Sequence, residues 1–380
     1  MTLSSTTAAQ PSFTAPTLGA NDAAVTLTFQ LVVTDNHGNA STADTVTVTV
    51  NAPALNVAEI EDAFRDVTAA FISRRAERIV SSEPLAYRFD VRRLAGGLRQ
   101  VSLGANDQGG TLSFALSSKS GDDRLYFWSE GTATYYNDAV GALAKRDGEF
   151  SIIYMGVDYL VADKLAIGVM AEVDRATETI PGYSEVSGTG WMIGPYATGE
   201  ISPGVYASLR AAWGKSDNSA FVDALGTGAG FAGDFDTERM LVLGSVRGEM
   251  DLGDMRMFPV AELAYYRETQ DDYSVSDGTS LVNVSGADFE LGRFSVASMF
   301  EWSMPNVLDM PVAFARPQLN WNFFESGFDD DFETFSGALE FGIKTDSSSS
   351  WQGEVSLRLD GLGTDDFEGV SARVYLSKEF

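Results

Sequence analysis

The sequence predicts an all-β protein: an antiparallel transmembrane β-barrel of about twelve strands with a luminal α-helix, plus a truncated N-terminal β-sandwich-like segment. Three observations predict it. Apolar and polar residues alternate strictly through most of the second half of the chain. Charged residues sit inside those alternating runs, and a charge in a strand needs a polar side to face. Finally, short and long connections between the runs take turns, as periplasmic turns and external loops do in outer-membrane barrels. A soluble sandwich with its charges on the outer faces accounts for the first two observations but not for the third.

Residues 1–52 form a block of their own. Val25–Thr34 and Thr45–Val50 are rich in β-branched residues, and Asp35-Asn-His-Gly-Asn39 between them is turn-forming. This hairpin resembles the last strands of an immunoglobulin-like or cadherin-like surface repeat and covers about half of one. Asp35, Asn36 and Asn39 are possible calcium ligands, but a plain turn explains them better. His37, the only histidine, reads as an exposed turn residue.

Residues 53–92 read as a linker carrying an amphipathic helix over 57–80. Asn56 is a good N-cap, and Glu59 three positions on makes a capping-box pattern. Val57, Ile60, Phe64, Val67 and Phe71 make one apolar stripe. Acids fill the first turns and Arg74, Arg75 and Arg78 the last, matching the helix dipole. At 1.5 Å per residue such a helix spans roughly 36 Å, enough to thread a bilayer core about 30 Å thick. Ser81-Ser-Glu-Pro84 stops it.

Residues 93–123 read as a Gly-rich connection with one possible strand at 111–119. From 124 to 380 the alternation runs on, with strand centres near Phe127, Val157, Val169, Pro195, Leu209, Val246, Ala261, Val296, Ala315, Leu339, Val355 and Val374. Connections 161–164, 201–204 and 251–254 are tight. Those at 136–149, 176–187, 216–236, 268–287 and 325–333 are long. The final strand carries Val370, Ala372, Val374, Leu376 and Phe380 on one parity and ends on that aromatic residue.

Composition narrows the function classes. A formal charge of −28 excludes a nucleic-acid partner. There is no cysteine, hence no disulfide or thiolate chemistry. No run of eighteen apolar residues exists, so a membrane crossing must use strands. The first twenty residues lack the basic start and apolar core of a signal peptide, so an exported chain is expected to be a fragment of a longer precursor or to have a misplaced start. A lone histidine builds no catalytic triad, so no enzyme, cofactor or metal is expected. Self-cleavage of a linker needs a positioned asparagine or acid; Asn51 and Asn56 are the candidates, and no Asn-Asn pair occurs.

The segments GTGWMIGPYATGEI (188–201), YASLRAAWGKSDN (206–218), FDTERMLV (235–242) and FPVAELAYYRETQDDY (258–273) resemble the translocator domain of monomeric autotransporters, the type V secretion proteins. The resemblance covers residues 55–380 and includes the helix just ahead of the barrel. It implies twelve strands with a helix through the pore. It implies an outer-membrane anchor in contact with lipid that conveys its own passenger segment to the cell surface. It also implies a monomer built by the barrel-assembly machinery with periplasmic chaperones. Phe380, Leu376 and Val374 would form the assembly signal, although Lys378 departs from the apolar or aromatic residue preferred there. Arg74, Arg75 and Arg78 are expected to pair with luminal acids: Glu172, Glu200, Glu249, Glu354 or Asp360. The alternatives are a passive porin or ligand transporter, or a soluble secreted adhesion module.

Overall fold

In the computed structural model the chain is a closed antiparallel barrel preceded by a hairpin and a helical linker. The structure describes residues 3–18, 23–51, 56–93, 99–106, 109–121, 123–140, 144–224, 230–307, 310–326, 334–345, 351–363 and 369–379. Strands β1 (Val25–Leu31) and β2 (Asp44–Val50) pair antiparallel. Asp35 shapes the segment joining them. Its carboxylate accepts from the backbone N–H groups of His37 (2.8 Å) and Asn39 (2.9 Å) and from the Asn39 side chain (3.0 Å). Those bonds, the Asn39 side chain first, hold its pKa below the usual carboxylate value. Helices α1 (Val57–Ser81) and α2 (Phe89–Arg92) follow.

The barrel then runs β3 (Arg99–Asn106), β4 (Gly109–Lys119), β5 (Leu125–Val140), β6 (Ala144–Ala162), β7 (Leu165–Ile180), β8 (Ser184–Ser202), β9 (Val205–Val222) and β10 (Phe231–Gly248). It continues with β11 (Met250–Asp251), β12 (Met255–Gln270), β13 (Tyr273–Ser276), β14 (Leu281–Val284), β15 (Asp288–Val307), β16 (Met310–Ser326), β17 (Phe335–Lys344), β18 (Trp351–Leu362) and β19 (Gly369–Glu379). Short β11 extends the β10–β12 edge, and β13–β14 form a hairpin off the β12–β15 connection. β19 closes on β3, with Val374 opposite Ala105 and Glu379 opposite Gln100.

Among the described residues the ring therefore has fourteen staves, not twelve. The extra pair, β3 and β4, lies in the stretch 93–123 that reads as a Gly-rich connection. Gly104, Gly109, Gly110 and the interspersed serines blur its alternation. Its outward Val101, Leu103, Leu112 and Leu116 nevertheless present an apolar face. Twelve and fourteen are both even, so either count returns the chain to its starting side.

The long connections are also shorter than the sequence suggests. Between β7 and β8 only residues 181–183 are unpaired. β8 has 19 residues, which at about 3.3 Å each is roughly 60 Å, more than twice the ~25 Å apolar band of such barrels. The strands continue beyond the bilayer, and there the outward residues turn polar. Trp213 faces outward, two residues before Lys215, whose amine pairs with Glu238 at 2.9 Å. The bilayer boundary passes between them. Tight turns at 163–164, 203–204 and 252–254 mark the opposite side.

Within the bilayer the outward parity holds as the alternation predicts: Val169, Leu209 and Leu357 are exposed, and Val374 and Leu376 point the same way. Phe380 lies outside the described residues. Lys378 sits opposite Trp351, its amine 4.8 Å from the ring centroid. This cation–π contact gives the lysine a partner on the neighbouring strand.

The inward face is not uniformly polar. Beyond the bilayer it is apolar and buried, with Val186, Val222, Phe231, Phe235, Val275 and Val282 forming one cluster with Ile60, Phe64 and Phe71 of α1. Deeper in, glycines make room for aromatic side chains on neighbouring strands. A Cβ on Gly156 would fall 2.3 Å from the Trp128 indole.

Candidate functional site

The site is the occupied lumen. α1 begins as the sequence predicts: the Asn56 side chain accepts from the Glu59 N–H (3.4 Å) and donates back to the Glu59 carboxylate (3.0 Å). The helix contacts β6, β8, β9, β12, β14 and β15, strands from different sides of the ring, so it lies within the barrel. From Val67 to Val80 every residue except Glu77 is buried or half-buried, so the cover extends around the helix. Enclosure, rather than packing on one flat surface, buries a helix that way.

Its direction follows from its ends. Ser285, just past β14 on the long-connection side, donates to Glu61 (3.0 Å). At the other end Arg93 pairs with Glu200 at 2.8 Å, beside Lys164 of the β6–β7 turn at 3.2 Å. The linker thus runs from the tight-turn mouth, where β3 starts, to the outer mouth, where β1 and β2 precede it.

Between those ends lie four buried groups of charges. Arg75 is 1 % exposed. Its Nε donates to Asp174 (2.6 Å) and its Nη1 to Ser216 (2.8 Å) and Asn218 (2.9 Å). Asp174 also accepts from Arg239 (2.7 Å), and Arg239 reaches Glu268 (3.2 Å). Tyr266 donates to the second oxygen of Glu268 (2.6 Å). The result is an alternating chain of charges leading from the helix into the wall. Arg210 holds Glu172 (2.8 Å) and also pairs with Glu83 of the linker (3.1 Å). Arg74 pairs with Glu178, which also accepts from Tyr136 (2.7 Å). The Arg78 guanidinium stacks 3.5 Å from the centre of the Tyr136 ring. Lower down, Arg92 pairs with Asp158 (2.7 Å), and Glu130 accepts the backbone N–H groups of Leu85 (2.7 Å) and Ala86 (2.9 Å).

The three helix arginines therefore do meet the lumen wall, but through partners other than those the sequence analysis names. Glu172 serves Arg210, and Glu200 serves Arg93 and Lys164. Glu249 is exposed beside the β8–β9 turn, where its N–H donates to Gly204. Asp360 pairs with Arg358 of its own strand at 2.8 Å. Glu354 lines a cavity of about 300 Å³ with Arg256 and Lys344, and among the described residues no arginine of α1 pairs with it. Asp174 and Glu178 share the inward parity of Glu172 on β7, so the alternation already contained the signal that marks them. Which of these acids the helix meets depends on the stagger of the strands, and that is not written in alternation.

With this geometry established, comparison with known proteins decides the family. The autotransporter beta-domain family model matches residues 127–368. The chain belongs to the autotransporter beta-domain family. Three similar solved structures are other barrels. The translocator domain of autotransporter NalP from Neisseria meningitidis is 12 % identical, covering 82 % of this chain and 96 % of that one, with a TM-score of 0.49. The beta domain of the Bordetella autotransporter BrkA is 16 % identical, over 74 % and 100 %, with a TM-score of 0.42. The Pseudomonas putida toluene transporter TodX is 12 % identical, over 82 % and 93 %, with a TM-score of 0.42. No curated protein matches the chain. The assignment rests on the family match. This autotransporter barrel resides in the bacterial outer membrane and conveys its own N-terminal passenger to the cell surface. Translocator barrels of this family are non-enzymatic.

Proposed function

We propose that residues 56–93 are the last stretch of the conveyed chain, lodged in the pore once the passenger is outside, and that they act as plug and anchor together. The observation that carries this reading is the buried chain from Arg75 through Asp174 and Arg239 to Glu268. An open porin has no reason to bury a guanidinium of a mobile linker against its wall, since desolvating both charges is costly unless they stay paired. The apolar cluster around Phe64 and Phe71 supports the same reading, because it excludes water at the outer mouth.

The domain plan follows: residues 1–52 as the end of an immunoglobulin- or cadherin-like passenger repeat, residues 53–92 as the threading linker, and the barrel after it. Val374 and Leu376, with Phe380, serve as the signal for the barrel-assembly machinery, and periplasmic chaperones escort the unfolded chain. The barrel works as a monomer, with no cofactor and no catalysis of its own. Asn56 supports the absence of self-cleavage, since its side chain is engaged as a helix cap. Deleting residues 51–92 tests the plug: single-channel conductance in planar bilayers should rise several-fold, and unchanged conductance would refute the reading.

A further inference from the structure

We infer that the lipid-facing wall of β3–β8 carries a site for one phospholipid of the periplasmic leaflet. An open groove of about 610 Å³ runs obliquely across this wall. Its floor is a single cross-strand row, with Ser117 opposite Trp128, Trp128 opposite Gly156, and Gly156 opposite Met170. The Ser117, Trp128 and Met170 side chains are buried on the inner face, and Gly156 has none, so backbone alone paves the floor. The flanking rows point outward and form the walls. Phe127, Val157 and Val169 make one wall. In the other, small Ser129 and Ala171 sit on either side of Met155 and widen the groove. From β3 to β8 it crosses six strands, about 24 Å at roughly 4.8 Å per strand.

The lower end of the groove is marked by charge. Arg99 is the first residue of β3, on the tight-turn side, and lines the groove beside Ser118. It shares the outward parity of Val101 and Leu103. Among the described residues it has neither a hydrogen bond nor an ion pair, and none of those that line the groove is an acid. A guanidinium at the bilayer edge without a carboxylate partner suits a phosphate oxygen. The chain as a whole carries −28, which repels an anionic headgroup over most of its surface. Arg99 therefore selects where such a headgroup settles, and the groove above it takes one acyl chain. Bilayer hydrocarbon is as apolar as the groove, so the gain comes from close van der Waals contact rather than from hydrophobic transfer. The occupant that fits both ends is a phospholipid with a net negative headgroup, of the phosphatidylglycerol type.

The test is native mass spectrometry of the full chain released from detergent and titrated with phosphatidylglycerol or phosphatidylcholine. Wild-type protein should retain a first phosphatidylglycerol molecule well above the statistical series and prefer it to phosphatidylcholine. Arg99→Gln should weaken that first step about fivefold, the size of one interfacial cation, and abolish the headgroup preference. Arg99→Lys should keep it. Ser129→Phe, which fills the groove, should weaken both lipids. Lys215→Gln, a cation beyond the opposite bilayer boundary, should change nothing. A heat-shift gel confirms that each variant is folded. Wild-type binding by Arg99→Gln, or a purely statistical series of adducts in wild type, would overturn the proposal.

Discussion

Asp174→Asn is the substitution that bears hardest on the plug. Asp174 is shared: one oxygen takes Arg75 of the helix at 2.6 Å and the other takes Arg239 of the wall at 2.7 Å. All three side chains are essentially buried. Removing its charge leaves two guanidinium groups facing each other, and Arg75 loses its only ion pair among the described residues. Breaking a buried pair from one side costs about 3–5 kcal/mol. At 1.4 kcal/mol per decade, the balance between seated and released helix shifts by about a hundred- to a few-thousandfold. Arg75→Met is gentler. Asp174 keeps Arg239, and Ser216 and Asn218 keep each other at 2.8 Å, so the loss is about 1–3 kcal/mol. The double variant should be less disturbed than Asp174→Asn alone, because the unpaired helix cation has gone. Open-state occupancy in planar bilayers reads this directly: Asp174→Asn highest, the double variant intermediate, Arg75→Met lower, wild type closed. Wild-type occupancy for Asp174→Asn, or simple additivity of the two changes, would refute the reasoning.

The wall itself makes two further predictions. Leu209→Arg, outward within the bilayer band, should cost about 2–4 kcal/mol in a denaturant titration, whereas Asp217→Arg, outward beyond Trp213, should cost about 0–1 kcal/mol; equal costs would contradict the boundary drawn there. Gly156→Val drives a Cβ to 2.3 Å from Trp128, and the resulting overpacking should cost about 1–3 kcal/mol; an unchanged unfolding midpoint would mean that the indole lies elsewhere.

Lipid-facing strands are the most legible part of this sequence, because a bilayer on one side and a polar or packed interior on the other force alternation with period two. Hence β7, β9 and β18 stand where the pattern puts them. β3 and β4 escape notice because glycine and serine fill many of their positions and a period cannot be heard through them. The upper halves of β8 and β9 escape for a different reason. Once Glu185, Thr189, Lys215 and Asp217 face water instead of lipid, the outward face is as polar as a loop. The helix was legible from its cap, its stripe and its charge asymmetry, because all three are local. Nothing local singles out its partners Asp174 and Glu178 over Glu354 and Asp360, since which side of the ring the helix approaches is a long-range outcome of packing Phe64 and Phe71 into the cluster around Phe235 and Tyr273.

The central claim is that the linker lies in the lumen with its N-terminal end outward, and site-directed cross-linking tests it most directly. The chain has no cysteine, so Glu61→Cys with Ser285→Cys introduces the only reactive pair. Glu61 and Ser285 are hydrogen-bonded at 3.0 Å at the outer mouth. A short thiol cross-linker added to intact cells should join positions 61 and 285 in high yield, while a matched pair at 61 and 200 should stay unlinked. Efficient linkage of 61 to 200, or none of 61 to 285, would contradict the account.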